Sequence, residues 1–454
     1  MTVKAKNPSL LRFDSTTQLE TVLAPINALN PLALGLYFAL LNAPGAQVSG
    51  IGVDAVDASN PYGTIEAFTR AAEALEQYEV YAIAPLTHDE TVGEVFTAHV
   101  TSMSDPASKG ERVCLFNYSQ PTKKIDTLVT SGLTGNTVGS TGLVFDTGIA
   151  NLSALVQAKG VDPVGTIPAN SGLFLYIDSS TKNYSIASIS GSVVTLRTSF
   201  VAGENDDSFY STTVLSGTLI DEPFNVRVRG AALVLAGSSL PDKLGIAETC
   251  QTRSQAIGNR RVWSVVPDKA AATLGGIEQV IEGFYLSAAV AGMIAQQPPQ
   301  QSFTNFPMTG FTRVIGSNDY FTEKQLNIIA AGGNYIIVQD TPGTPLISRM
   351  ALTTDMTSLE TRTDSITKIV DFTAKFMRQG LRSYIGRFNI TQGFLDSLGH
   401  VCQGLIGFLV DIGVLIGGNL NNIVQDETAP DTVLIDVTLD VPFPCNYIRL
   451  TLVI

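Results

Sequence analysis

The sequence predicts an α/β (α+β) core domain that is discontinuous along the chain, with a small all-β domain inserted into it. Three observations predict this. Helix and strand signals alternate at the start, a Gly-, Ser- and Thr-dense stretch with faint helical periodicity follows, and the α/β texture then returns. The expected division is a core of residues 1–120 and 235–454, interrupted by a β-rich domain of residues 121–234. A chain of 454 residues exceeds the roughly 250–300 at which one hydrophobic core stops growing, so more than one domain is expected.

Asn30-Pro31 is a cap followed by proline at the first helical position, and Leu32, Leu36 and Leu40 carry a helix to Asn42. A strand is expected over residues 48–53. Asn60-Pro61 repeats the start signal, with Ile65, Phe68, Ala72 and Leu75 on one face. Residues 80–85 read as a short apolar strand. Val92, Val95, Phe96, Val100 and Met103 form a third helical stripe leading into a strand over 112–116. This β-α-β-α-β order predicts parallel pairing.

From about Pro121 short strands take over, at residues 173–177, 184–189, 193–196 and 224–228, separated by turn clusters. After the insertion come a strand at 261–267 and a long apolar helix at 277–297. Residues 401–420 are apolar enough to raise a membrane span, but Asp411 in their midst favours a buried helix. Residues 433–441 alternate apolar and polar, Pro442-Phe443-Pro444 breaks the pattern, and residues 447–454 resume it. A terminal strand leaves a row of backbone donors and acceptors to be paired.

Only 15% of residues are charged and mean hydropathy is +0.21, so part of the surface is expected to be covered by other subunits. The formal charge of −13 opposes a sequence-independent grip on nucleic acid, which needs a basic footprint. Cys114, Cys250, Cys402 and Cys445 are widely spaced, as are His88, His99 and His400, so neither a disulfide framework nor a zinc site is indicated. Residues 1–12 lack the apolar region of a secretion signal. There is no G-x-S-x-G elbow, no phosphate-binding loop and no dinucleotide fingerprint, so enzymatic chemistry and cofactors find no support.

One constellation stands out between Arg362 and Arg387. Ile366, Ile369, Val370, Thr373, Phe376, Met377 and Ile385 follow helical spacing on one side, while Lys368, Lys375, Arg378 and Arg382 lie on another. On an acidic protein such a stripe can dock an acidic partner. It also reads as an ordinary solvated face with Asp371 as an ion-pair partner.

Phe321-Thr322-Glu323-Lys324-Gln325-Leu326-Asn327 runs to Gly332-Gly333-Asn334-Tyr335-Ile336-Ile337, and Arg349-Met350-Ala351-Leu352-Thr353 follows. With the long helix from Ser365, the helix through residues 405–415 and the closing strands around a Pro-x-Pro bend, this resembles the contractile tail sheath proteins of phages and related injection particles. The resemblance covers residues 303–454, and more weakly 10–117. In the family a tryptophan and an arginine pair often stand near the start of the long helix; here Thr367-Lys368 takes that place. The family's Pro-Gly-Val-Tyr-like N-terminal opening is also missing.

The resemblance implies a non-enzymatic, cofactor-free homo-oligomer of stacked hexameric rings around a tail tube, contracting to drive the tube through a host envelope. It implies contacts with the tail tube protein, baseplate and tail terminator, without direct nucleic-acid contact or membrane insertion, in a virion tail assembled in the host cytoplasm. Lys368, Lys375, Arg378 and Arg382 would face the tube, and the inserted β domain would project outward. Tyr447, Ile448, Arg449, Leu450, Thr451, Leu452, Val453 and Ile454 would form an arm given to a neighbour, with Pro442 and Pro444 as its hinge, although the opposite allocation of the two closing strands fits the alternation equally well. A static self-assembling shell or surface-layer protein is the alternative; it would share the low charge but would not need the basic stripe.

Overall fold

A computed structural model describes residues 10–54, 63–121, 129–131, 141–144, 173–177, 183–191, 193–199, 231–235, 243–316, 320–446, 448 and 450. The chain divides into two compact units. The first comprises Met1–Ser119, Gln251–Tyr320 and Ile329–Ile454; the second comprises Gln120–Cys250 and Phe321–Ile328.

The first unit is built on a six-stranded mixed sheet, in the order Pro307–Met308, Leu346–Met350, Asn334–Val338, Val262–Val266, Val113–Asn117, Ala82–Ile83. The last four pair in parallel and the first two are antiparallel additions. Strands Val113–Asn117 and Val262–Val266 are buried at every position because both sheet faces are covered. Val113, Leu115, Trp263, Val265, Tyr335 and Ile337 pack with Leu34 and Phe38 of helix Pro31–Leu41 and with Phe284, Val290 and Met293 of helix Phe284–Gln296. Cys114 and Phe116 point the other way, toward Phe68 and Ala72 of helix Ile65–Leu75 and Phe96 and Val100 of helix Glu90–Met103.

Local signals act as the sequence suggests at several ends. The Asn30 side chain accepts from Ala33 N with proline directly after it, and Asp89 accepts from Thr91 N. Asn60-Pro61 lies outside the described residues; the helix begins at Ile65 under a Thr64 cap, and Ile65 itself is exposed.

Three elements differ from expectation. Val48–Ile51 does not join the parallel layer but pairs antiparallel with Leu10–Phe13. It lies against the preceding helix, where a Cβ on Gly50 would stand 2.9 Å from side-chain carbons of both Leu32 and Leu36. The expected helix from residue 277 is instead a strand, Ile277–Glu282, returning from Lys269–Leu274 through Gly275 and Gly276 with φ of 59° and 81°. The helix starts only at Phe284. The apolar stretch expected as a helix through residue 420 ends its helix, Gln392–Asp411, beside Gly413 at φ 72°. A strand, Gly417–Gln425, follows and pairs with Val433–Asp440 in a two-stranded sheet.

In the second unit, Val129–Ser131, Ala231–Leu235, Leu173–Ile177, Asn183–Ser190, Val193–Leu196 and Gly142–Val144 form one antiparallel sheet in that order. Tyr184, Ile186, Ile189, Val194 and Leu196 are buried in it. The expected strand at 224–228 lies outside the described residues.

Candidate inter-subunit surface

The long helix Asp364–Leu381 is amphipathic, and its basic residues are mostly committed within the first unit. Lys368 is 4% exposed and so is withdrawn from an outward stripe. Its Nζ lies 3.3 Å from Asp364 Oδ2, donates to Gln301 O at 2.6 Å and sits 3.7 Å from the Phe303 ring centroid. Burial pushes the Asp364 carboxyl up and the Lys368 ammonium down, each countered by the other's charge. One turn on, Asp371 accepts from Arg261 Nη1 at 2.8 Å and Nη2 at 2.9 Å, and from the Tyr81 hydroxyl at 3.0 Å. Burial, then the Asp371 charge, raises the Tyr81 hydroxyl well above its ordinary value, so it remains a donor.

Lys375 pairs with Glu79 at 3.8 Å and lies 5.6 Å from the Tyr81 ring centroid, while Arg378 pairs with buried Glu111. Arg382 differs from the other three. It is exposed and makes no ion pair among the described residues. It opens a short turn, Arg382–Tyr384, beyond which Ile385 and Phe388 are exposed, with Phe388 against Tyr384 and Phe394.

Helix Gln392–Asp411 packs on the long helix where a Cβ on Gly380 would stand 2.7 Å from Leu405 Cδ1, and Phe376 stacks on Phe408 at 5.4 Å. Ile369, Leu409, Val414 and Leu415 make the small core there. By length and composition this helix is apolar enough to cross a membrane, and 28% of its most apolar window is buried, less than the buried helix expected. Phe408, Ile412 and Ile416 lie exposed along this region.

The hairpin that follows has no third strand among the described residues. Along Val433–Asp440 half-buried and exposed residues alternate without one fully buried position. The chain then passes Pro442 and Pro444 to Asn446, whose Oδ1 accepts from Thr304 Oγ1 at 2.9 Å. Beyond it Ile448 is 89% exposed and Leu450 79%, neither in a strand. Tyr447, Arg449, Thr451, Leu452, Val453 and Ile454 lie outside the described residues.

No family model and no curated protein matches the sequence. Among solved structures, the helical sheath of the anti-feeding prophage in its contracted state superposes with a TM-score of 0.54 at 11% identity, over 98% of this chain and 88% of that one. The chain has the contractile-sheath fold. The six-fold symmetrised baseplate structure of the same particle gives a TM-score of 0.52 at 11% identity, over 98% and 87% of the two chains. On this surface, sequence reasoning missed the strand Gly417–Gln425, the acids that hold the stripe, and the exposed apolar run through Phe408, Ile412 and Ile416. For the acids one signal was present, since Asp364 stands four residues before Lys368 on a helix.

Proposed function

We propose that this protein is the structural, non-enzymatic subunit of a contractile tail sheath, stacking as hexameric rings around a tail tube and contracting to drive it through a host envelope. The observation that carries this reading is the fold likeness to a helical sheath across 98% of the chain. Low charge and the exposed apolar residues near the C-terminus support it, because polymerisation would cover them.

In this reading Arg382, with no ion pair among the described residues, and Lys375, paired only with exposed Glu79, are the stripe residues that meet the tube, whereas Lys368 and Arg378 are held by the buried acids Asp364 and Glu111. The hairpin Gly417–Gln425 with Val433–Asp440 is the receiver, and the segment Tyr447–Ile454 of a neighbouring copy, hinged at Pro442 and Pro444, adds a strand to it. Main-chain ladders hold subunits together while such linkers bend. The second unit serves as an inserted, outward-facing β domain. The remaining partners are the baseplate and tail terminator, and the location is a virion tail assembled in the host cytoplasm.

Negative-stain microscopy of the purified protein, alone and with tail tubes, tests the reading. Hollow cogwheel-like cylinders are expected. Flat lattices or closed shells would assign it to the static assemblies, and persistent monomers in the presence of tubes would overturn it.

A further inference from the structure

His88 lies where three pieces of the first unit meet. Its Nδ1 is 2.9 Å from the Asn117 carbonyl oxygen, its Nε2 is 3.1 Å from Glu282 Oε2, and its ring lies 4.9 Å from that of Phe284. Both ring nitrogens therefore face acceptors. A neutral imidazole carries one N–H and can serve only one of them, whereas the imidazolium donates to both.

Among the described residues, the segments that meet at the ring carry Glu282, Lys269, Asp89, Glu90 and buried Asp268, whose carbonyl accepts from Gly283 N at 2.6 Å. Strand Ile277–Glu282 contributes Glu282, and strand Lys269–Leu274 contributes Lys269, whose Nζ is 3.1 Å from each Glu282 oxygen. On the ring's own segment, Asp89 is taken up by Thr91 N and Glu90 by Arg253. Hydrogen bonds from His88 and Lys269 hold the Glu282 carboxyl below the usual range against its burial. Asn117 is a firm anchor, since its buried Nδ2 donates to both Val265 O and Pro267 O at 2.8 Å.

We propose that His88 is a proton-operated latch joining the segment before helix Glu90–Met103, the end of strand Val113–Asn117 and the edge strand Ile277–Glu282. With a proton on both nitrogens it ties all three together. With one proton lost it releases either Asn117 or Glu282, and in the second case Glu282 is left to Lys269 alone. Asn117 stands two residues before Ser119, where the first unit's opening segment ends, so the latch acts where the chain leaves that unit. The inference does not depend on the sheath reading.

Backbone hydrogen exchange of residues 269–282 in the full chain, compared at about pH 5.5 and about pH 8.5, tests the latch once intrinsic exchange rates are removed. In the wild type the hairpin should open about three- to tenfold more often at the higher pH, the factor of one net hydrogen bond. His88→Gln should open equally at both. Glu282→Gln offers an amide that can donate to the ring or accept from it, and should also abolish the difference. Local exchange is the readout because His99 moves global stability in the opposite direction. A pH dependence that persists undiminished in both variants overturns the latch, as does a wild-type hairpin that opens equally at the two pH values.

Discussion

Arg261 holds Asp371 through two parallel hydrogen bonds of 2.8 and 2.9 Å, tying the middle of the long helix to the turn residue just before strand Val262–Val266. Asp371 is almost wholly buried, so removing the guanidinium leaves an uncompensated charge. Arg261→Met should cost about 3–5 kcal/mol, as for other broken buried pairs. The double variant Arg261→Met with Asp371→Leu should recover much of that loss. Urea unfolding midpoints of the wild type and the two variants check this; an Arg261→Met midpoint equal to that of the wild type would show that the pair is not what holds the helix.

Charge reversal should separate two members of the basic stripe. Arg378→Glu sets a second carboxylate beside buried Glu111, and a fall in thermal midpoint is expected. Arg382→Glu touches no partner among the described residues and should stay within about 0.5 kcal/mol of wild type. Under the sheath reading, Arg382→Glu should nevertheless reduce co-sedimentation with tail tubes. Normal coating would remove Arg382 from the tube face.

Acid sensitivity should have one identifiable source in His99. Burial, with the neighbouring Arg112 charge, lowers its imidazole to about 4, and its Nε2 lies 3.1 Å from Arg112 Nη1, which fits a neutral acceptor ring. The unfolded chain binds the proton near pH 6.5, so folding excludes it between those values. Stability should therefore fall as pH drops from about 6.5 to about 4, by up to roughly 3 kcal/mol. His99→Asn should flatten that part of the stability profile, read from denaturant midpoints across the range.

Gly292 lets helices Pro31–Leu41 and Phe284–Gln296 approach closely. A Cβ there would stand 2.1 Å from Ala39 O, a backbone atom that cannot swing aside. Gly292→Ala should force helices Pro31–Leu41 and Phe284–Gln296 apart at a cost of about 1–3 kcal/mol. Differential scanning calorimetry checks this, and an unchanged melt would mean the helices part freely.

Ending the chain after Pro444 should leave the fold intact, since Ile448 and Leu450 are exposed and outside any strand. The same truncation should abolish cylinders if the arm joins neighbours. Circular dichroism reports the first outcome and electron microscopy the second; normal cylinders would refute the arm.

The alternating helices and strands around the parallel sheet were legible because both-face burial writes continuous apolar runs such as Val262–Val266, and because caps like Asn30 act through neighbouring residues. The strand Ile277–Glu282 was hidden because its boundary with an apolar helix is set by Gly283, where a Cβ would stand 2.4 Å from Pro267 O. Nothing local marks that approach. The stripe shows the same limit: spacing finds Lys368, Lys375 and Arg378 on one helix, but their partners Gln301, Glu79 and Glu111 come from distant parts of the chain. Periodicity reports which residues share a face, not what covers it.

The hairpin Gly417–Gln425 with Val433–Asp440 is a sheet of two strands, and such a pair is marginal in water apart from the helix it packs on, here Gln392–Asp411. Any strand that binds the folded hairpin but not the open one would stabilise it by mass action. Firmness in this part of the molecule should then rise with protein concentration. Under the sheath reading, each subunit added to a growing end would further order the hairpin of the one before it, so that elongation and local ordering become a single cooperative event.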